Sequence, residues 1–152
     1  MPQATAGMSD RQHWMGILAR ARPADLEGAW RALPDKPAYE FLRHPEVGLV
    51  VLRARAGGTG SQFNLGELSV ARCVVRTDSK IVGCGYVMGR DERHAELAAL
   101  FDAMLQDERS GDRLKQSVVA PLEAAQVQER QARARKSADT RVNFFTMVRG
   151  MS

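Results

Sequence analysis

The chain has few aromatic residues, only two cysteines and no long apolar run. Two cysteines in 152 residues do not make a disulfide framework, so we interpret Cys73 and Cys84 as reduced, half-buried thiols. No apolar segment approaches the roughly 20 residues that a membrane-spanning helix requires. The N-terminal segment MPQATAGMSDRQHWM lacks the charged and then apolar pattern of a secretory signal. We therefore predict a cytoplasmic protein that does not contact a membrane.

Signatures of nucleic-acid binding are also lacking. The net charge is +4, and the densest basic run, from Arg130 to Arg141, contains five cations against one acid, Asp139. A solvated helix face accounts for such a run, although a phosphorylated substrate or an acidic subunit could also bind it. No aromatic residue interleaves with these cations. We therefore expect no nucleic-acid partner.

The length and composition are those of one soluble domain, with 44% apolar and 26% charged residues. We predict that residues 1–152 form a single domain in three parts. Residues 9–34 form an N-terminal helical hairpin, residues 38–106 form a sheet plus a central helix, and residues 117–150 form a C-terminal arm.

Apolar spacing and cap residues predict the helices. Trp14 and Leu18 belong to one apolar stripe that follows a possible cap at Ser9. Pro23 ends that helix and can start the next one at its first turn. Asp91 is a possible cap for the central helix, which has the strongest helical pattern in the chain.

Alternating apolar residues predict about four strands, over Ala38–Arg43, Gly48–Arg55, Leu68–Thr77 and Ile81–Met88. We expect a turn at residues 44–46 between the first two, and burial of the second strand on both sides. The predicted fold class is α+β, with a mainly antiparallel sheet, an N-terminal helical hairpin, a packed central helix and a long C-terminal helical arm.

Glycines and arginines suggest a phosphate site, although the segment AGGTG at residues 56–60 fits no established phosphate-loop spacing. Glycine lets backbone N–H groups approach an anion, and arginine binds phosphate through two donors. The alternatives are a plain strand connection and a packed histidine. The candidate substrate-binding residues are Arg53, Arg55, Gly57, Gly58, Gly60, Arg72, Arg90 and His94. We predict no catalytic residue and no metal ligand.

The polar C-terminal helix ends in an apolar cluster. We predict that this cluster enters a groove on a partner, because so long a polar lead is not needed to return to the chain's own core. The alternative is that it packs on its own domain. The predicted interface residues are Phe144, Phe145, Met147 and Val148.

Several long strings run in order through nearly the whole chain: RQHWM, RARAGGTGSQFNLGE, VARCVVR, GYVMGRDERHAELAAL, VAPLEAA and TRVNFFTMVRG. Together they resemble the G subunit of the bacterial carbon–phosphorus lyase core complex. The resemblance implies a two-fold hetero-octamer with the H, I and J subunits, and joint action with the L protein. It implies displacement of adenine from ATP by an alkylphosphonate, which gives ribose 1-alkylphosphonate 5-triphosphate.

The same resemblance implies no cofactor on this chain. ATP is a substrate of the complex, and the iron–sulfur cluster and S-adenosylmethionine belong to the J subunit. We therefore predict a non-catalytic or accessory subunit that acts with H, I and L in phosphonate catabolism. The alternative is that the chain contributes phosphate-binding residues to an active site at a subunit interface. A nucleic-acid module, which depends only on the basic run, is a third interpretation.

Overall fold

The computed structural model describes residues 9–140. Within them the elements are α1 (Asp10–Arg20), α2 (Pro23–Ala32), β1 (Tyr39–Arg55), β2 (Gln62–Thr77), β3 (Val82–Met88), α3 (Glu92–Gln106), α4 (Gly111–Leu114) and α5 (Ala120–Asp139). A short 3-10 turn at Ala56–Gly58 joins β1 to β2, and a π-helical turn at Lys115–Val119 joins α4 to α5. The α+β fold class is confirmed.

The sheet has three antiparallel strands in the order β1-β2-β3, where about four were predicted. The predicted strands Ala38–Arg43 and Gly48–Arg55 belong to one strand, and the turn predicted between them is wrong. Two shifts in register between Phe41 and Glu46 take its place, each adding one residue to β1. Pro45 lies in this irregular stretch, where an edge strand tolerates a residue that has no N–H donor.

The predicted packed central helix is α3, which lies on one face of β2 and β3. A β-carbon at Gly85 would overlap the carbonyl oxygen of Ala95, and one at Gly83 would overlap that of Ala99. Helix and strand therefore approach closely only because these side chains are absent. Phe101 is fully buried in the resulting core.

The N-terminal hairpin closes the other side of α3. Ser9 and Gln12 form a reciprocal cap at the start of α1, and Pro23 occupies the first turn of α2. Trp14, Ile17 and Leu18 of α1 are buried in the core, and Met15 packs against it while partly exposed. The predicted helical hairpin is confirmed.

The C-terminal helices add a second layer and then leave the core. Leu114, Val118, Val119 and Leu122 are buried, so the core continues through the segment that follows the short connection after α3. From Gln128 onward every residue of α5 is exposed, in agreement with the predicted polar arm. None of the helices in residues 9–140 combines the length and apolar character of a membrane span.

Candidate functional site

The outer half of the β1–β2 hairpin projects beyond the core. We define residues 49–68 as the distal hairpin. Leu49 is 68% exposed and Leu65 is 64% exposed, and neither meets a covering helix. The other large exposed side chains of this segment are Val51, Leu52 and Phe63. The distal hairpin therefore presents apolar surface that no part of the described chain covers.

This surface lies on both sides of the hairpin. Side chains alternate along a strand, so Leu49 and Val51 share the side on which α3 covers the body of the sheet, while Leu52 points to the other side. The predicted burial of this strand on both sides is not achieved within residues 9–140. Monomeric proteins rarely expose contiguous apolar surface of this kind unless it binds something.

The tip of the hairpin collects five of the eight predicted substrate-binding residues: Arg53, Arg55, Gly57, Gly58 and Gly60. Gly57 and Gly58 have φ angles of 61° and 75°, a left-handed conformation that favours glycine. Both arginines are exposed, and neither forms an ion pair with the residues that the structure describes. The tip is therefore an exposed basic turn with accessible backbone.

The other three predicted residues lie elsewhere. Arg72 is eight residues along β2 from Asn64, the partner of Arg53, which corresponds to about 26 Å at 3.3 Å per residue. Its Nε donates to Glu46 Oε1 over 2.7 Å. The register also places Arg53 and Arg72 on opposite faces of the sheet, because β2 has one extra residue between them. Arg90 is exposed at the base of the distal hairpin.

His94 is buried rather than presented to a ligand. Its side chain is in the first turn of α3, and its Nε2 lies 2.9 Å from the carbonyl oxygen of Leu18 in α1. The backbone N–H of His94 donates to Asp91 Oδ1 over 2.9 Å, which confirms the predicted cap. The packed, hydrogen-bonded histidine, an alternative stated from the sequence, describes this geometry.

Ionisable groups next to the core have structural partners. The Tyr39 hydroxyl donates to Glu96 Oε1 over 2.6 Å, and Arg93 pairs with both Glu96 and Glu27. Burial, assisted by the bond to Glu96, raises the pKa of Tyr39 to about 12. These contacts connect β1, α3 and α2, so they stabilise the packing of these three elements rather than form a reactive cluster.

The two cysteines are free thiols on neighbouring strands, and they do not lie opposite each other. Cys73 pairs with Gly85 and is buried, whereas Cys84 pairs with Val74 and is partly exposed. Burial raises the pKa of the Cys73 thiol to about 12, which disfavours a nucleophilic thiolate. In residues 9–140 no three His, Cys, Asp or Glu side chains are grouped so that they could hold a metal ion.

Sequence reasoning missed the projection of the hairpin and a buried carboxylate. The apolar run in residues 47–52 was the available signal for the hairpin, but its alternation does not say what covers it. The sequence pattern gave no signal that the acidic Asp102 belongs to the core, yet it is fully buried and binds side chains from α1. The predicted interface residues Phe144, Phe145, Met147 and Val148 lie outside the described residues.

Comparison with known proteins places this geometry in context. A family model described as "Phosphonate metabolism protein PhnG" matches residues 9–150. The chain is also 45% identical, over 148 residues, to the alpha-D-ribose 1-methylphosphonate 5-triphosphate synthase subunit PhnG of Rhizobium meliloti (strain 1021). That alignment covers 95% of this chain and 92% of the relative.

Proposed function

The chain belongs to the PhnG family of phosphonate metabolism proteins, and on that basis we propose that it is a non-catalytic assembly subunit of a ribose 1-methylphosphonate 5-triphosphate synthase. In this proposal it acts in the cytoplasm with the H, I and L proteins. Together they transfer the ribose triphosphate of ATP onto an alkylphosphonate and release adenine. The chain carries no cofactor of its own and joins H, I and J in a two-fold carbon–phosphorus lyase complex.

The distal hairpin is the observation that supports an assembly role. Five large apolar side chains of the distal hairpin are exposed, and no part of the described chain covers them. Complete burial of one such side chain is worth about 1.5–3 kcal/mol, so even partial cover by a partner would contribute substantially to binding.

A paired substitution tests this role. We expect the double variant Leu49→Asp with Leu65→Asp to lose its place in the synthase during size-exclusion chromatography. Because both side chains are exposed, its free energy of unfolding as an isolated chain should change by no more than about 0.5 kcal/mol.

The matched control is Leu42→Asp, since Leu42 is also half exposed but lies in the irregular stretch of β1 away from the distal hairpin. The control should assemble normally. Normal assembly of the double variant would contradict an assembly role for the distal hairpin.

A second candidate function is favoured by the tip. Two exposed arginines and a turn with two left-handed glycines could enter a partner's active site and bind the triphosphate. Hydrogen bonds to charged groups contribute roughly 1.5–3 kcal/mol, so we expect Arg53→Ala to lower synthase turnover by about tenfold or more without loss of assembly. Arg72→Ala tests whether the body of the sheet also contributes. Unchanged turnover in an assembled Arg53→Ala variant would remove this candidate.

A further inference from the structure

The two edges of the sheet differ in how their backbone groups are satisfied. On β3, the carbonyl of Val82 accepts from Gln106 Nε2 over 2.9 Å, and the N–H of Cys84 donates to Asp102 Oδ2 over 2.9 Å. Side chains of α3 therefore occupy the edge of β3 at Val82 and Cys84. Such protection prevents another chain from adding a strand there.

The edge of β1 is open over residues 47–55. Its inner side pairs with β2 from Val47 with Ala71 to Leu52 with Gly66, and then on to the tip. Among residues 9–140 no side chain and no other backbone group bonds to the outer side of this stretch. The irregular stretch with Pro45 protects only the earlier part of the strand. An exposed edge of this length is a template for an added strand.

The side chains along this edge define what could pair with it. Val47, Leu49 and Val51 lie on one face, followed on the same face by Arg53 and Arg55. Opposite charges across a strand pair are favourable, and apolar pairs bury surface. The complementary strand has apolar residues at alternate positions at one end and acidic residues at alternate positions at the other.

We propose that this open edge takes up an extended strand from another subunit of the synthase, with apolar residues opposite Leu49 and Val51 and acidic residues opposite Arg53 and Arg55. The inference rests on the proposed function, because it specifies how the distal hairpin joins its partner. Main-chain hydrogen bonds supply affinity in such an arrangement, and the alternate side chains supply specificity.

A second copy of the chain fits this edge poorly. Antiparallel self-pairing centred on Val51 would set Arg53 opposite Leu49. Moving the centre to Ala54 would set Arg53 opposite Arg55, and like charges directly opposite each other destabilise a strand pair. The chain's own segment 141–152, RVNFFTMVRGMS, contains no acidic residue to meet the arginines. Charge complementarity therefore favours a different subunit.

Residue-resolved hydrogen–deuterium exchange tests the proposal. The amides of residues 47–55 that do not bond to β2 should exchange freely in the isolated chain at two concentrations tenfold apart. In the assembled synthase, exchange of these same alternate amides should slow by about 100-fold or more.

Other results overturn the proposal in distinguishable ways. Protection in the dilute isolated chain would assign the edge to the chain's own segments, and protection that appears with concentration would assign it to a second copy. Free exchange in an assembled synthase would overturn strand addition but leave the assembly role intact. A chain that fails to join the synthase would overturn the proposed function together with this inference.

Charge reversal supplies the second measurement. The double variant Arg53→Glu with Arg55→Glu should raise the Kd for the rest of the synthase by about tenfold or more. Arg109→Glu, at an exposed arginine in the connection after α3, is the matched control and should leave the Kd unchanged. An unchanged Kd with reduced turnover in the double variant would overturn the acidic-strand pairing and assign both arginines to a phosphate.

Discussion

Asp102 provides the sharpest test of how the body of this protein is held together. Its carboxylate is fully buried, and four donors from outside α3 reach it. Arg11 donates through Nη2 over 2.8 Å and through Nε over 3.2 Å. Trp14 Nε1 and the N–H of Cys84 each donate over 2.9 Å. One carboxylate therefore joins α1, α3 and the edge of β3.

We expect Asp102→Ala to reduce the free energy of unfolding by about 3 kcal/mol. Breaking a buried ion pair typically costs 3–5 kcal/mol. The side chain of Arg11 is 41% exposed, so it can regain water, which moves the loss toward the lower bound. The indole N–H of Trp14 and the N–H of Cys84 would lose partners at about 1–3 kcal/mol for each group that stays dry.

Urea denaturation of the isolated chain, followed by tryptophan fluorescence, measures this loss directly. In thermal unfolding of the same chain, a loss of about 3 kcal/mol corresponds to a fall in Tm of about 6–12 °C for a chain of this length. Asp112→Ala is the control, because the Asp112 side chain is 93% exposed and its ion pair with Lys115 should contribute less than about 1 kcal/mol. A loss below about 1 kcal/mol in Asp102→Ala would refute the idea that this carboxylate holds the three elements together.

Three further predictions concern packing, thiol chemistry and the C-terminal segment. Gly85→Ala should destabilise the chain by about 1–3 kcal/mol or more in the same assay, because the added methyl group meets the backbone of Ala95; full stability would show that α3 can move away. In the native protein one thiol, that of Cys84, should react with a disulfide reagent at neutral pH. The second thiol, that of Cys73, should react only on unfolding. Burial raises the pKa of Cys73 to about 12. Its neutral thiol therefore favours folding at pH values below about 9, the pKa of the thiol in the unfolded chain, and that contribution is lost as pH rises toward 12. Modification of Cys73 before the protein unfolds would contradict this. Phe144→Ala should reduce recovery of the complex with little change in Tm of the free chain, whereas an early-melting variant that still assembles would place the segment on its own domain.

Local signals were sufficient for much of the fold. Ser9 and Asp91 cap helices where the sequence placed them, and Pro23 begins α2. Each of these features depends on the chemistry of one residue and its near neighbours, which is why pattern reading found them.

The candidate site could be read only in part. The sequence placed Arg53 and Arg55 beside a glycine turn, and the hairpin does bring them together at its tip. It could not show that Arg72 is on the other face and paired with Glu46, because a one-residue shift in register reverses which side every later residue faces. Nor could it show that the ring of His94 meets Leu18, which is 76 residues away.

The sequence by itself determined where α1, α2 and α3 begin, the α+β class and, through its long specific strings, the family. Tertiary structure alone decided which apolar residues are covered. The 15 residues of α3 extend about 22 Å, whereas the 17 residues of β1 extend about 56 Å. One helix of this length therefore cannot cover the whole β1–β2 hairpin. Alternation predicts that a strand has an apolar face, but the relative lengths and placement of distant elements decide whether that face lies in the core or remains exposed.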